Sequence, residues 1–142
     1  MSVTVWEHIV RDVGDALIFI DTAGTIRAWN PAAEALFGFT AAQALGQNVH
    51  LIIPMHLRDG HDRGFARAMQ TGRCSHPGAV RTTRSLHADG RKLYVDMGFS
   101  VVKDERGQVL GSVAMARDAT ARYLAERAAR QAGAQKGDAS TS

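Results

Sequence analysis

Between Arg91 and Val102 the chain alternates without a break. Leu93, Val95, Met97, Phe99 and Val101 fall on one face, and Tyr94, Asp96, Gly98 and Ser100 on the other. Successive side chains of a strand point to opposite sides, so this stretch predicts a strand with one buried face. Turn residues bracket it. Ala88-Asp89-Gly90 joins it to a preceding strand over Ala79 to His87, and Glu105-Arg106-Gly107 leads to a last strand over Gln108 to Asp118. Nearer the start, Ala16 to Asp21 and Thr25 to Asn30 read as a hairpin about Thr22-Ala23-Gly24. Helical spacing replaces alternation elsewhere. Val5, Ile9 and Val13 predict a helix over Val3 to Val13. Asn30 followed by Pro31 is a capped helix start, and that helix ends at Gly38. Short helical pieces are predicted over Thr40 to Ala44 and Val49 to Ile53, then a longer helix from Gly60 to Thr71 ended by Gly72.

From Ala119 the chain reads as a helix with a small apolar patch at Tyr123 and Leu124. From Gly133 to Ser142 almost nothing is available to bury, which predicts a disordered tail. Two strands, several helices and three strands joined by tight hairpins predict an α+β fold: a mainly antiparallel sheet with helices on one face. The organisation is a flanking helix over 1–13, one domain over 14–120, and a C-terminal helix with its tail over 121–142.

Length supports the single domain, since 142 residues suit one core. No apolar run is long enough to span a membrane, and the N-terminus does not predict a signal peptide. Cys74 is the lone cysteine, so no internal disulfide forms, which fits a reducing cytoplasm. A net charge of +3 and a pI near 9.5 raise the question of nucleic acid. The arginines are scattered among acidic residues, as in Lys103-Asp104-Glu105-Arg106, and form no basic stripe. Direct nucleic-acid binding is not expected.

The residue with most chemical content is His61, which precedes Phe65, Ala68 and Met69 on one helix face. An imidazole in that setting can hold a haem iron. It is also compatible with a partly exposed helix-start histidine that binds nothing. His8, His50, His56 and His87 show no metal-ligand spacing. His56, five residues before His61, is the chief rival as an axial ligand. No phosphate loop, kinase core or catalytic triad is present, so the chain is not expected to be an enzyme.

Several further marks fall in order along the chain. They are Asp21-Thr22-Ala23-Gly24-Thr25-Ile26, Trp29-Asn30-Pro31-Ala32-Ala33-Glu34, Phe37-Gly38-Phe39, Leu45-Gly46, Ala88-Asp89-Gly90-Arg91 and Ala116-Arg117-Asp118-Ala119-Thr120. Together they resemble the PAS domain family over Val10 to Thr120. The resemblance implies a five-stranded antiparallel sheet with a ligand cleft between sheet and helices. It does not choose the ligand. Photosensory members carry a reactive cysteine in an Asn-Cys-Arg-Phe motif. Here the segment is Asn48-Val49-His50-Leu51, so flavin–thiol photochemistry is excluded while plain binding of FAD or FMN stays open.

The closer resemblance is to haem-binding PAS oxygen sensors of the FixL type. Their proximal histidine follows a proline at a spacing matched by Pro54 and His61, and Asp62 matches the residue after it. The resemblance implies haem b, with Arg81 as distal donor to bound O2 or as a propionate partner. It implies Arg67 as a propionate contact, and Met97 and Phe99 as apolar distal residues. Phe65 would line the proximal side. Ser75 stands where those sensors carry a propionate-binding histidine, and the adjacent His76 is the substitute for a propionate or distal role. Ala79 stands where some oxygen sensors place a ligating methionine, which leaves the distal site open. Gly64 replaces a larger helix residue.

The implied function is a sensor of a diatomic gas, O2 first with CO or NO possible, or of redox state. It would signal to a partner or to a second copy, with Val5, Trp6 and Ile9 offering a dimer surface. The alternative is an interaction module that binds a flavin, another small molecule or no ligand. In either case the chain is expected to be a stand-alone sensor or an excised sensory module.

Overall fold

The computed structural model describes residues 4–76 and 78–140, with side chains described as far as residue 134. Val3 of the predicted first helix, Pro77 of the predicted loop, and positions 141–142 of the predicted tail lie outside the described residues. Ten elements follow in order: α1 (Val5–Asp12), β1 (Ala16–Asp21), β2 (Ile26–Trp29), α2 (Pro31–Phe37), α3 (Ala41–Ala44), α4 (Arg58–Thr71), β3 (Val80–Leu86), β4 (Lys92–Lys103), β5 (Val109–Asp118) and α5 (Thr120–Ser140). Two short 3-10 turns, Val49–Ile52 and Met55–Leu57, connect α3 to α4. The strands form one sheet in the order β2-β1-β5-β4-β3, antiparallel throughout. The α+β class and the hairpins therefore stand as the alternation predicted.

Local chemistry explains most boundaries. Asn30 caps α2 by accepting from the Ala33 amide, and Pro31 supplies the first helical position. The same side chain accepts from Leu17 N and donates to the carbonyls of Val10 and Asp15. One buried amide thus ties the end of α1, the start of β1 and the start of α2. Thr40 and Gln43 form a reciprocal capping box on α3. At Gly111 the chain runs so close to β1 that a Cβ would lie 2.0 Å from the Ile20 carbonyl oxygen, so only glycine fits.

The core lies on the inner face, where Ile18, Ile20, Ile26, Trp29, Leu93, Val95 and Met97 meet Ala33 and Phe37 of α2, with Val49 and Ile52 beside them. Trp29 stacks obliquely on Phe37, and its indole N–H donates to the Phe39 carbonyl. The outer face carries α5. Tyr123 stacks on Tyr94 at 3.9 Å between centroids, and Arg122 makes paired bonds to Asp96, which Thr82 also reaches.

The structure corrects two expectations. The predicted tail is helical from Gly133 as far as Ser140, within α5. Ala134, Gln135, Lys136 and Ala139 have favourable helix propensity and carry on the helix begun at Thr120. Phe99, expected in the core from alternation, is 41% exposed. Its position on the inner face is as predicted, but no helix covers it there.

Candidate functional site

α4 begins where Pro54 and the turn Met55–Leu57 redirect the chain. Pro54 is buried and Met55 is exposed. The Arg58 guanidinium then reaches back, donating from Nε to the Ile53 carbonyl at 3.0 Å and from Nη2 to the His50 carbonyl at 3.2 Å. This clamp sets the turn Val49–Ile52 against the first turns of α4. Val49 and Ile52 anchor that turn in the core, and Asn48 caps it by accepting from the His50 amide.

His61 is half-buried on α4, with its ring parallel to that of Phe65 at 6.0 Å between centroids. Its Nδ1 lies 3.3 Å from Asp62 Oδ1, and Nε2 has no hydrogen-bond partner among the described residues. The same Asp62 oxygen is 2.7 Å from His50 Nε2. The two imidazoles lie edge to face at 6.3 Å. The His50 hydrogen bond, above all, holds the Asp62 carboxyl below its usual range; desolvation opposes it, and the His61 hydrogen bond adds a smaller lowering.

His50 is the residue sequence reading missed. Spacing along the chain groups His50 with the other isolated histidines and makes His56 the rival to His61. The structure leaves His56 exposed on the turn Met55–Leu57 and brings His50 to His61 instead. The one trace in the sequence is a polar histidine between the apolar Val49 and Leu51, behind a capping Asn48.

The other predicted residues divide. Met97 is buried on the inner face of β4. Arg81 stands directly opposite it on β3, and therefore on the same face, and is exposed. Phe99 lies two residues beyond Met97 along that face. Arg67 and His76 are exposed, and neither Arg67 nor Arg81 is engaged by a carboxylate among the described residues. Phe65 is half-buried against the core. The 14 residues of α4 include no fully buried side chain. A groove of about 420 Å³ opens between the C-terminal end of α4 and the inner edge of β4, reaching Phe99, Val101 and Cys74. His61 is not part of its lining.

These side chains have the chemistry that a planar apolar group with acidic edges requires. One imidazole nitrogen is fixed by a carboxylate while the other stays free. No side chain of the helix that carries it is fully buried, and Phe65 alone of that helix packs against the core. Arg67 and Arg81, without a carboxylate partner among the described residues, and the exposed ring of Phe99 supply cationic and aromatic surface elsewhere on α4, β3 and β4. The donor set fits haem.

A single five-stranded antiparallel sheet with helices over its inner face is the architecture of a PAS domain. The chain belongs to the PAS fold family, whose sequence model matches residues 10–124. Sensor protein FixL of Bradyrhizobium diazoefficiens is 35% identical over 82 residues, which make up 58% of this chain and 16% of that protein. Oxygen sensor protein DosP of Escherichia coli is 28% identical over 114 residues, 80% of this chain and 14% of that protein. The chain thus spans less than a fifth of the length of these relatives. Among solved structures, a PAS domain from Colwellia psychrerythraea superposes with a TM-score of 0.71 at 24% identity, covering 82% of this chain and 95% of that one. An RNA-binding light-oxygen-voltage receptor gives a TM-score of 0.73 at 20% identity, covering 94% of this chain and 38% of that one. Likeness at these identities bears on the fold. No described helix is long and apolar enough to cross a membrane.

Proposed function

We propose that this PAS domain binds haem b through His61 and senses a diatomic gas, with O2 as the first ligand to test. The observation that carries the reading is the state of His61. It is half-buried beside Phe65, its Nδ1 is on Asp62, and its Nε2 is left free. The kinship with an oxygen sensor and with FixL supports it.

Haem supplies the iron centre at which a small gas binds; the chain's own residues do the rest. Asp62 fixes the tautomer of His61 and raises the basicity of Nε2. Met97 and Phe99 present apolar surface that keeps water away. Arg81, on the face of Met97, donates hydrogen bonds to a polar gas ligand or to a propionate, and the choice between them gives the domain two arrangements. Arg67 and His76 serve as the remaining propionate contacts. A shift of β3 and β4 is felt across the sheet by α5 through the Asp96–Arg122 bonds. The output is a contact rather than a catalysed reaction, passed in the cytoplasm to a partner or to a second copy. The exposed Val5, Trp6 and Ile9 of α1 form the homodimer surface in this reading. No nucleic-acid or membrane contact is part of it.

The test is the absorption spectrum of the haem-loaded chain beside that of His61→Ala. A Soret band that shifts under CO in the parent and is lost or strongly altered in the variant is the expected result. No Soret band in either after loading overturns the haem reading, and a yellow protein on purification replaces it with a flavin.

A further inference from the structure

The convergence of His50, His61 and Asp62 has a use that a gas sensor does not require. We infer that these three side chains form a binding site for a borderline divalent transition-metal ion, with Zn2+ as the type case, in the chain when it carries no haem. Their donor atoms all lie within 4.8 Å of one another.

The geometry is built before any ion arrives. His50 sits in a turn whose neighbours Val49 and Ile52 are buried, and its carbonyl is held by Arg58 of α4. His61 is backed by the Phe65 ring, and Asp62 already points an oxygen at both imidazoles. The Arg58 and Asp62 hydrogen bonds thus hold two elements together with the three donors converging at a partly exposed edge. Bonds of about 2.0 Å at a tetrahedral angle set donors about 3.3 Å apart, so the 2.7 Å contact between His50 and Asp62 must open and the wider spread of the donors, within 4.8 Å, must close towards that value. Side chains that are half-buried or exposed can make that adjustment by small rotations.

The donor types choose the ion. Two neutral imidazoles and one carboxylate suit zinc, cobalt or nickel, whereas calcium and magnesium need more oxygen ligands than this site has. Three protein donors leave a position for water, so the ion exchanges freely. The guanidinium of Arg58 and the N-terminal turn of α4 both oppose a cation. The affinity expected is therefore micromolar rather than that of a closed four-ligand site. The two occupants of His61 compete in this arrangement: an ion held through Nδ1 draws the lone pair and orientation of the ring away from a haem approaching Nε2.

The experiment is a titration of the full chain, purified without added haem, with Co2+ read by its visible absorption and with Zn2+ read by calorimetry. One ion per chain is expected. His50→Ala and His50→Gln should each weaken binding by roughly tenfold or more. His56→Ala and His76→Ala should leave it unchanged. The paired variants at position 50, with circular dichroism alongside, separate a lost ligand from a lost fold. Absence of binding in the parent, binding that survives both changes at His50, or binding that depends on His56 or His76 overturns the proposal. Haem loading of His50→Gln is read separately. A variant that loses zinc yet still gives a Soret band bears out this site without touching the haem reading, and a parent that takes zinc but never haem bears out this site alone.

Discussion

The two halves of the sheet's inner face are covered very differently. Under α2, Phe37 and Ile26 have no exposed surface, and Ala33 is equally enclosed. Along α4 no side chain is fully buried, and at the end of the face that no helix covers Phe99 is 41% exposed and Arg81 lies open opposite the buried Met97. Both halves rest on strands with the same alternation. The difference lies in the cover: α2 packs onto its half, and α4 leaves the far end of the other half bare. α2 is short, capped at both ends and filled with apolar residues, whereas α4 carries Arg63, Gly64, Arg67 and Gln70 among its few apolar positions. A protein that packs one half densely gains its stability there and leaves the other half free to open for a ligand.

The comparison breaks first, if it breaks, in the packed half. Phe37→Ala should destabilise the chain by about 3–5 kcal/mol, because a fully enclosed ring leaves a cavity its neighbours cannot fill. Urea unfolding measures it. Asn30→Ala comes next. Four hydrogen bonds to Leu17, Ala33, Val10 and Asp15 end on that one amide. Losing them strands buried backbone groups at about 2–4 kcal/mol. In the open half, Phe65→Ala in the haem-free chain should cost less than about 1.5 kcal/mol, since the ring is only half-buried. Equal costs at Phe65 and Phe37 would show that α4 is as tightly held as α2 and would remove the argument for a cleft.

The smallest effect is a pH dependence on the outer face. Arg122, followed by Thr82, lowers the Asp96 carboxyl from 3.8 to about 2. A carboxylate whose value is lowered on folding contributes stability that is whole above its unfolded value and fades as protons return. The docking of α5 should therefore be intact above about pH 4 and weaken as pH falls from 3.8 towards 2. Urea midpoints of the parent and of Arg122→Ala across that range should converge at the acid end. A parallel offset at every pH would mean that the pair contributes through packing instead of charge.

Much of the open half was legible in the residues. The register that puts Arg81 opposite Met97 follows from alternation together with the turn at Ala88-Asp89-Gly90. The N-cap at Asn30 and the left-handed ends of α2 and α4 at Gly38 and Gly72 follow from local chemistry. The placement of His61 at the start of a helix beside Phe65 was likewise visible in spacing. What spacing could not supply is which of the surrounding histidines shares its space. His56 is nearer along the chain, yet the turn Met55–Leu57 carries it outward. Asp62 and the Arg58 clamp bring in His50, eleven positions before His61.

The sequence by itself determined the elements, their order, their buried faces and the family to which they belong. These depend on periodicity and caps, which act over a few residues. Only the tertiary structure decided what covers each face and which side chains meet. Phe99 points inward by alternation and is still exposed, because burial requires a partner that alternation does not specify. His50 meets His61 because two turns fold onto one helix end, through contacts between residues separated along the chain. Pattern within an element fixes direction; the angle and distance at which elements pack fix the company each side chain keeps.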